Sequence, residues 1–473
     1  MTKWMARLLA LTLAFALLMT GCSDTPAASG TSDGSRTGSG STPDGSSPSG
    51  ETMDLGGMEI VFTSMGPGYF DVDESSDIYD EMQDFIAEVE TRFHCKLRFD
   101  HYGPWDVYFQ KLQDMTMNGD FFGDIVAFDA YIYPSTLLNG IFVPIDEYIN
   151  VKDYDLWEQG CEDFFTIKNR IYAVSAHSET LVPLYFCLYN KTLFEEKGLS
   201  AKYDLKSMVM NREWTWDKFR EVMRASTLDT NGDGVTDIWG LSAQGYQFAT
   251  LPNALSIAND AMATRKNGDS VKVTMNEAPY LETLEFVNKL TWEDKAVSTD
   301  DKWRGYDSFN KFALGESMFW IGTNWWVSTL QTMVDDTVFS VLPVPIGPNA
   351  GGEYIVRDKG NVHTFGMLST CEHKKEAGAV FEYFMKNRPT DGKSVRASWS
   401  DMVFDTDSLD VIEMLSKLPH SFAWTDANTT SFSEVMLGEH GIPDRIPPAT
   451  FVATVQDRLQ ADLDQLWSLA DFD

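Results

Sequence analysis

The chain has 473 residues and carries 37 Lys and Arg against 71 Asp and Glu, a formal net charge of −34. That excess of negative charge argues against nucleic acid or an anionic membrane surface as a ligand. At 43% hydrophobic and 13% aromatic residues the chain is globular rather than disordered, and it is too long for a single core.

The first segment reads as an export signal. Lys3 and Arg7 flank the start of an uncharged, mainly apolar run, Leu8 to Met19. Such a run is too short to span a bilayer as a stable helix and suits the hydrophobic part of a signal peptide. It ends in Leu18-Met19-Thr20-Gly21-Cys22, which resembles a bacterial lipobox with Met19 where Leu is usual. The resemblance implies that residues 1–21 are removed and that Cys22 is diacylated and becomes the N-terminus. From Ser23 to Thr52, 23 of 30 residues are Ser, Gly, Thr or Pro, and none is Leu, Ile, Val or aromatic. This stretch cannot bury enough apolar surface to offset the entropy of ordering, so residues 22–52 are expected to form a flexible tether.

The body begins near Met53. Met58 to Thr63 reads as a short strand. Ile78, Met82, Phe85, Ile86, Val89 and Phe93 recur at helical spacing, Lys96 to Phe99 reads as a second strand, and Tyr108, Leu112 and Met115 mark a second helix. Gly123 to Phe128 is then a buried strand after a turn. This alternation predicts an α/β layer with a mainly parallel sheet. Farther on, Thr215 is placed to cap a helix carrying Phe219, Val222 and Met223, and two more stripes run through Leu281, Leu284, Val287 and Leu290 and through Ala377, Val380, Phe381 and Phe384. Cys95, Cys161, Cys187 and Cys371 are too widely spaced for a CxxC motif; an exported protein could pair them, but Cys95, Cys187 and Cys371 each stand beside apolar or strand-like residues, and buried free thiols are the default expectation.

Several segments, in order, are similar to the extracellular solute-binding proteins of ABC importers, in the branch that includes maltose-binding protein. Gly123-Asp124-Ile125-Val126 is similar to that family's PDI strand, with Gly in place of Pro, and Leu137 to Tyr148 follows as expected. Ile171 to Ser175 stands where the family has YGLP. Leu188-Tyr189-Asn190-Lys191-Thr192-Leu193-Phe194, through Gly198-Leu199, resembles YNKDLFEKAGL and is the most specific match. Trp214 to Phe219, Phe312 to Gly322 and Val341 to Pro348 resemble three further segments. The resemblance implies a two-lobed periplasmic-binding-protein-like α/β fold, each lobe a mainly parallel sheet flanked by helices, joined by a multi-strand hinge. Lobe one would hold 53–180 plus about 360–397, and lobe two 181–359 plus about 398–473. It also implies a monomer on the outer face of the cell membrane, lipid-anchored, that captures a sugar or oligosaccharide between the lobes and delivers it to the permease of an ABC importer.

A sugar site needs flat aromatic rings and planar hydrogen-bonding groups, and the chain has 14 Trp and 17 Tyr. Three loops supply candidates: Phe128, Asp129 and Tyr131 at the carboxyl end of a buried strand, Asn324, Trp325 and Trp326 after a second strand, and Trp239 with Tyr246. A neutral saccharide is favoured, with Arg304, Arg265 or Arg357 available to a uronate or a sugar phosphate. Asp229-Thr230-Asn231-Gly232-Asp233-Gly234-Val235-Thr236-Asp237 has the spacing of a Ca²⁺ loop. Asp229, Asn231, Asp233, the Val235 carbonyl and Asp237 would be its ligands, and Gly234 stands where the loop must turn. Gly240 replaces the usual twelfth-position Glu, so this Ca²⁺ is expected to be weak and structural. No other cofactor is required. The motifs HExxH, Walker A and GxGxxG are absent, and the one GxSxG match, Gly30 to Gly34, falls in the Ser- and Gly-rich stretch expected to be a tether, so no catalytic residue is assigned. The competing readings are a cell-surface glycan hydrolase, which would turn its ligand over, and a sugar sensor, which would need no permease.

Overall fold

The computed structural model describes residues 53–128, 140–159, 162–177, 182–245, 247–268, 270–300, 305–333, 336–358, 363–422 and 441–468. The chain opens with β1 (Met58–Ser64), α1 (Tyr79–Phe93), β2 (Cys95–His101), α2 (Trp105–Met117) and β3 (Ile125–Phe128). β1 pairs in parallel with both β2 and β3. α1 forms because Met82, Phe85, Val89 and Phe93 make one apolar stripe, and all four are buried. On α2, Tyr108 and Leu112 are fully buried, and the Tyr108 hydroxyl donates to the Ala127 carbonyl at 2.6 Å. The turn into β3 needs glycine, since a Cβ on Gly123 would lie 2.4 Å from Thr63 Oγ1 on β1.

After β4 (Phe142–Val143) and β5 (Ala173–Ser175) the chain crosses to a second sheet. It builds β6 (Tyr185–Asn190), α3 (Trp216–Ser226), β7 (Trp239–Ala243), α4 (Gln247–Ala258), α5 (Ala278–Asn288), β8 (Ser317–Thr323), α6 (Trp326–Met333) and β9 (Phe339–Pro343). The four strands lie in the order β9-β6-β8-β7. β8 runs parallel to β7 and antiparallel to β6, and β6 is antiparallel to β9. The Tyr-Asn-Lys segment ends β6, where Asn190 Oδ1 accepts the Leu193 N–H at 2.9 Å and starts the next helix. Thr215 precedes α3 as expected, but its side chain makes no capping bond; the Trp216 N–H donates instead to the Ile346 carbonyl at 3.0 Å.

The chain then returns. β10 (Thr364–Leu368) inserts between β3 and β4, also pairs with β5, and runs antiparallel to all three. α7 (Lys374–Asn387) follows and buries Ala377, Val380, Phe381 and Phe384. The Phe381 ring lies 5.6 Å from Trp157, 6.0 Å from Phe62 and 5.5 Å from Phe365, so aromatic pairs fill this core. α8 (Thr406–Ser416) packs beside β9, and α9 (Pro448–Ser468) beside the strand Ser270–Val273. The expected parallel pairing holds for the β2-β1-β3 block and for β7 with β8. The sheets as a whole are mixed, because strands that cross over or return enter from the opposite end and must run antiparallel.

Candidate functional site

Both connections between the sheets use the same edges. Thr364 pairs with Phe128 and with Ser175, so the chain leaves and re-enters the first sheet where β3 ends. In the second sheet it enters at Tyr185, opposite Thr323, and leaves after Pro343, opposite Phe186. Ala243 pairs with Ile321, which puts the end of β7 at that same edge. The carboxyl ends of β1 and β3 and those of β7, β8 and β9 therefore border the crossovers, and a ligand cleft belongs there.

Trp325 follows β8 at this edge and is 54% exposed. Its neighbour Trp326 turns inward, its ring 4.5 Å from Phe309 and 5.4 Å from Tyr306. Asn324 is buried: Nδ2 donates to the Pro183 carbonyl at 2.9 Å and its N–H to the Leu184 carbonyl at 2.8 Å. It holds the crossover. Phe128 is likewise buried. It is 1% exposed and stacked 4.8 Å from Phe142, because β3 lies between α2 and α7 and is covered on both faces. Trp239 opens β7 opposite Ser317, at the far end of the sheet from Trp325, so the two do not share a site. Arg265 pairs with Glu277 at 3.0 Å, and Arg357 lies on the strand Val356–Asp358. Asp129, Tyr131, Tyr246, Arg304, Cys161 and Cys22 lie outside the described residues.

The edge also gathers residues that the sequence did not single out. Gln244 Oε1 accepts both the N–H and the hydroxyl of Thr323, each at 2.7 Å, and clasps the ends of β7 and β8. The Tyr185 hydroxyl accepts from Asn253 Nδ2 at 3.1 Å. Across the cleft, Tyr69 in the loop after β1 sets its ring 4.5 Å from that of His363, the residue before β10. Arg388, just past α7, donates to the Tyr69 carbonyl. The signal for Tyr69 was available: Gly66-Pro67-Gly68-Tyr69 stands to β1 as the Phe128 loop stands to β3.

The acidic loop is ordered by its own backbone. Asp229 accepts the N–H groups of Gly232 (2.7 Å) and Gly234 (2.8 Å), and Asp237 accepts that of Thr230 (2.7 Å). The Gly234 and Gly232 N–H groups hold the Asp229 carboxyl below its usual range, and the Thr230 hydroxyl (2.6 Å), then its N–H, do the same for Asp237. Gly234 has φ +86°, as the sharp turn required. Among the described residues, no group of three or more His, Cys, Asp or Glu side chains converges as a metal site, and no helix is long and apolar enough to cross a membrane.

Comparison with known proteins agrees with this architecture. The sequence model of the family described as bacterial extracellular solute-binding protein matches residues 75–389. No curated protein sequence matches. Among solved structures, the galacto-N-biose/lacto-N-biose I-binding protein of Bifidobacterium longum, in complex with lacto-N-biose, is similar with TM-score 0.58 at 15% identity, over 88% of this chain and 98% of that one. An ABC substrate-binding protein of Listeria monocytogenes in complex with cycloalternan gives 0.54 at 16% identity, over 86% and 99%. The ABC transporter associated binding protein of B. animalis subsp. lactis Bl-04, in complex with β-1,6-galactobiose, gives 0.53 at 14% identity, over 86% and 98%. The fold is thus the mixed α/β, two-domain fold of periplasmic binding proteins.

Proposed function

Because the chain belongs to the bacterial extracellular solute-binding protein family, we propose that it is a cell-surface receptor that captures a saccharide between its two sheets and hands it to an ABC importer. The observation that carries this reading is Trp325, a large ring left 54% exposed at the edge where both crossovers run. An indole face there suits the apolar face of a pyranose. Gln244, Tyr185 and Asn253 supply polar groups along the same edge. The structural neighbours bound to lacto-N-biose, cycloalternan and galactobiose support a saccharide as the solute. In this reading Cys22 carries the lipid, residues 22–52 are the tether, and the body works as a monomer just off the membrane. The Asp229–Asp237 loop takes a structural Ca²⁺ through its carboxylate, amide and carbonyl oxygens.

The test is a thermal-shift screen of the mature chain against mono- and oligosaccharides, amino acids and peptides. A ligand that binds only the native state stabilises it by about 2.7 kcal/mol at a hundredfold excess over Kd. A shift with one saccharide class, with the sugar recovered intact, is expected. Cleavage of the sugar would instead establish the hydrolase reading, and shifts confined to amino acids or peptides would end the saccharide reading.

A further inference from the structure

The chain's route brings a cation to the cleft. His363 stands at the cleft edge, β10 runs away from it, and α7 comes back. The 14 residues of α7 rise about 1.5 Å each, roughly the depth of the sheet, so Arg388 returns to the edge that His363 left. The contacts agree. Arg388 Nη1 donates to the Tyr69 carbonyl, and the Tyr69 ring lies 4.5 Å from His363 at a tilt of 35°.

Arg388 differs from the other half-buried arginines. Arg170 is held by Asp146 and Glu147 at 2.9 and 2.6 Å. Arg212 meets Glu353 at 3.0 Å, and Arg220 meets both Glu293 and Asp294. In a chain with 71 acidic residues, Arg388 has no carboxylate within 4.0 Å among the described residues. Its one polar partner there is a neutral carbonyl. Loss of surrounding water pulls its guanidinium down to about 10. A half-buried cation left without a counter-ion is costly, and the cost is relieved by an anion brought in from outside. The guanidinium fork matches a carboxylate in shape as well as charge.

The neighbours fit a sugar acid. The Tyr69 ring stands against that of His363, and the Tyr69 backbone carbonyl holds the fork. The His363 side chain is exposed; loss of part of its surrounding water, and then the charge of Arg388, pull its imidazole down to about 4. It is therefore neutral at neutral pH, suited to a hydroxyl and adding no second charge. The net charge of −34 does not oppose an anion here, because exposed acids beyond about 8 Å are screened at physiological salt.

We propose that Arg388, with Tyr69 and His363, reads an anionic group at one end of the cleft, so that the captured saccharide is a sugar acid carrying a carboxylate, such as a uronide. This rests on the receptor reading above. The test is calorimetric titration of the mature chain with a galacturonate oligomer, the neutral galactose oligomer of the same length and linkage, and galactose 6-phosphate, repeated for Arg388→Met and Arg388→Lys. The expected result is at least a tenfold preference for the uronide over the neutral oligomer, weakening as salt is raised. Arg388→Met abolishes the preference, and Arg388→Lys, which keeps the charge and loses the fork, retains part of it. A structural role alone would shift stability without moving the acidic-to-neutral ratio. Should Arg388→Met fail to fold, the wild-type preference and the lysine variant still decide. Tight binding of neutral sugars with no preference for uronides overturns the inference and leaves the receptor reading standing; so does a preference that survives Arg388→Met. A stronger preference for the sugar phosphate overturns the carboxylate assignment. Failure of every saccharide, acidic and neutral, overturns both readings together.

Discussion

The carboxylate of Asp124 accepts the backbone N–H of Val61 at 2.8 Å, tying the entry of β3 to the middle of β1 across 63 residues. The Asp124 N–H donates to the Val61 carbonyl at 2.9 Å, and its own carbonyl accepts from Leu368 on β10 at 3.2 Å. One residue thus joins three strands that are far apart in the chain. Burial pushes its carboxyl up, while the Val61 N–H and the Cys371 thiol act in the other direction.

Asp124→Ala leaves the buried Val61 N–H without its side-chain acceptor and should cost about 1–3 kcal/mol. Asp124→Asn keeps an acceptor oxygen and should cost less. Urea unfolding of both variants checks this, and equal midpoints for wild type and alanine would show that the contact contributes nothing.

The two tryptophans after β8 should separate by function. Trp325→Ala removes an exposed ring and should weaken saccharide binding about tenfold, or 1.4 kcal/mol, with little change in Tm. Trp326→Ala empties the contact with Phe309 and should lower stability by about 3 kcal/mol while leaving the ligand preference intact. Titration calorimetry and thermal melts on the pair decide; the reverse pattern refutes the assignment.

Acid should loosen the packing of α8 on the second sheet. Burial pushes the Asp405 carboxyl up, but Lys191 Nζ at 2.8 Å, the Ser340 hydroxyl and the Ser408 N–H at 2.9 Å outweigh it and hold the carboxyl below its usual value. A carboxyl depressed in the folded state gives stability that is present above the unfolded value of 3.8 and is lost as pH falls through the folded value. Melts between pH 7 and pH 2.5 should therefore show a loss beginning near pH 4, and Asp405→Asn should flatten that part of the profile. A variant with the wild-type slope would exclude Asp405 as the source.

Burial pushes the thiols of Cys95, Cys187 and Cys371 up, to about 11 for Cys95 and about 12 for Cys371. Thiolates at these positions are scarce at pH 8. In a Cys161→Ser chain, Ellman's reagent should react with these three only after denaturant is added. Rapid reaction in buffer would contradict their burial.

The Asp229–Asp237 loop should bind Ca²⁺ weakly, with Kd on the order of 10⁻⁴–10⁻³ M, since Gly240 supplies no ligand at the twelfth position. Asp229→Ala should abolish the heat of Ca²⁺ titration without altering saccharide affinity. An unchanged Ca²⁺ heat in that variant would place the ion elsewhere.

Much of the architecture was legible because it depends on local pattern. The stripe from Met82 to Phe93 and the one from Ala377 to Phe384 fix two helices, and Asn190 marks its helix start by its own side chain. The site was less legible, because an aromatic residue looks the same in sequence whether a strand is covered on one face or two. Phe128 belongs to a strand covered on both, and Trp239 opens its strand at the end away from the crossovers. Arg388 was beyond reach for another reason. It follows an ordinary helix and meets Tyr69 across 319 residues, a distance that only the return of β10 and α7 closes.

That return sets a schedule for folding. The hydroxyls of Ser175 and Thr364 meet at 3.0 Å in the finished protein, yet 189 positions separate them. While the chain emerges, β3 waits as an unpaired edge until the whole second sheet has been made. Pairing so remote is slow to form, and an open strand edge invites association with other chains. The first sheet is therefore the last to close, and a chain cut short before residue 364 would keep its second sheet's strands and lose the strand that completes the first.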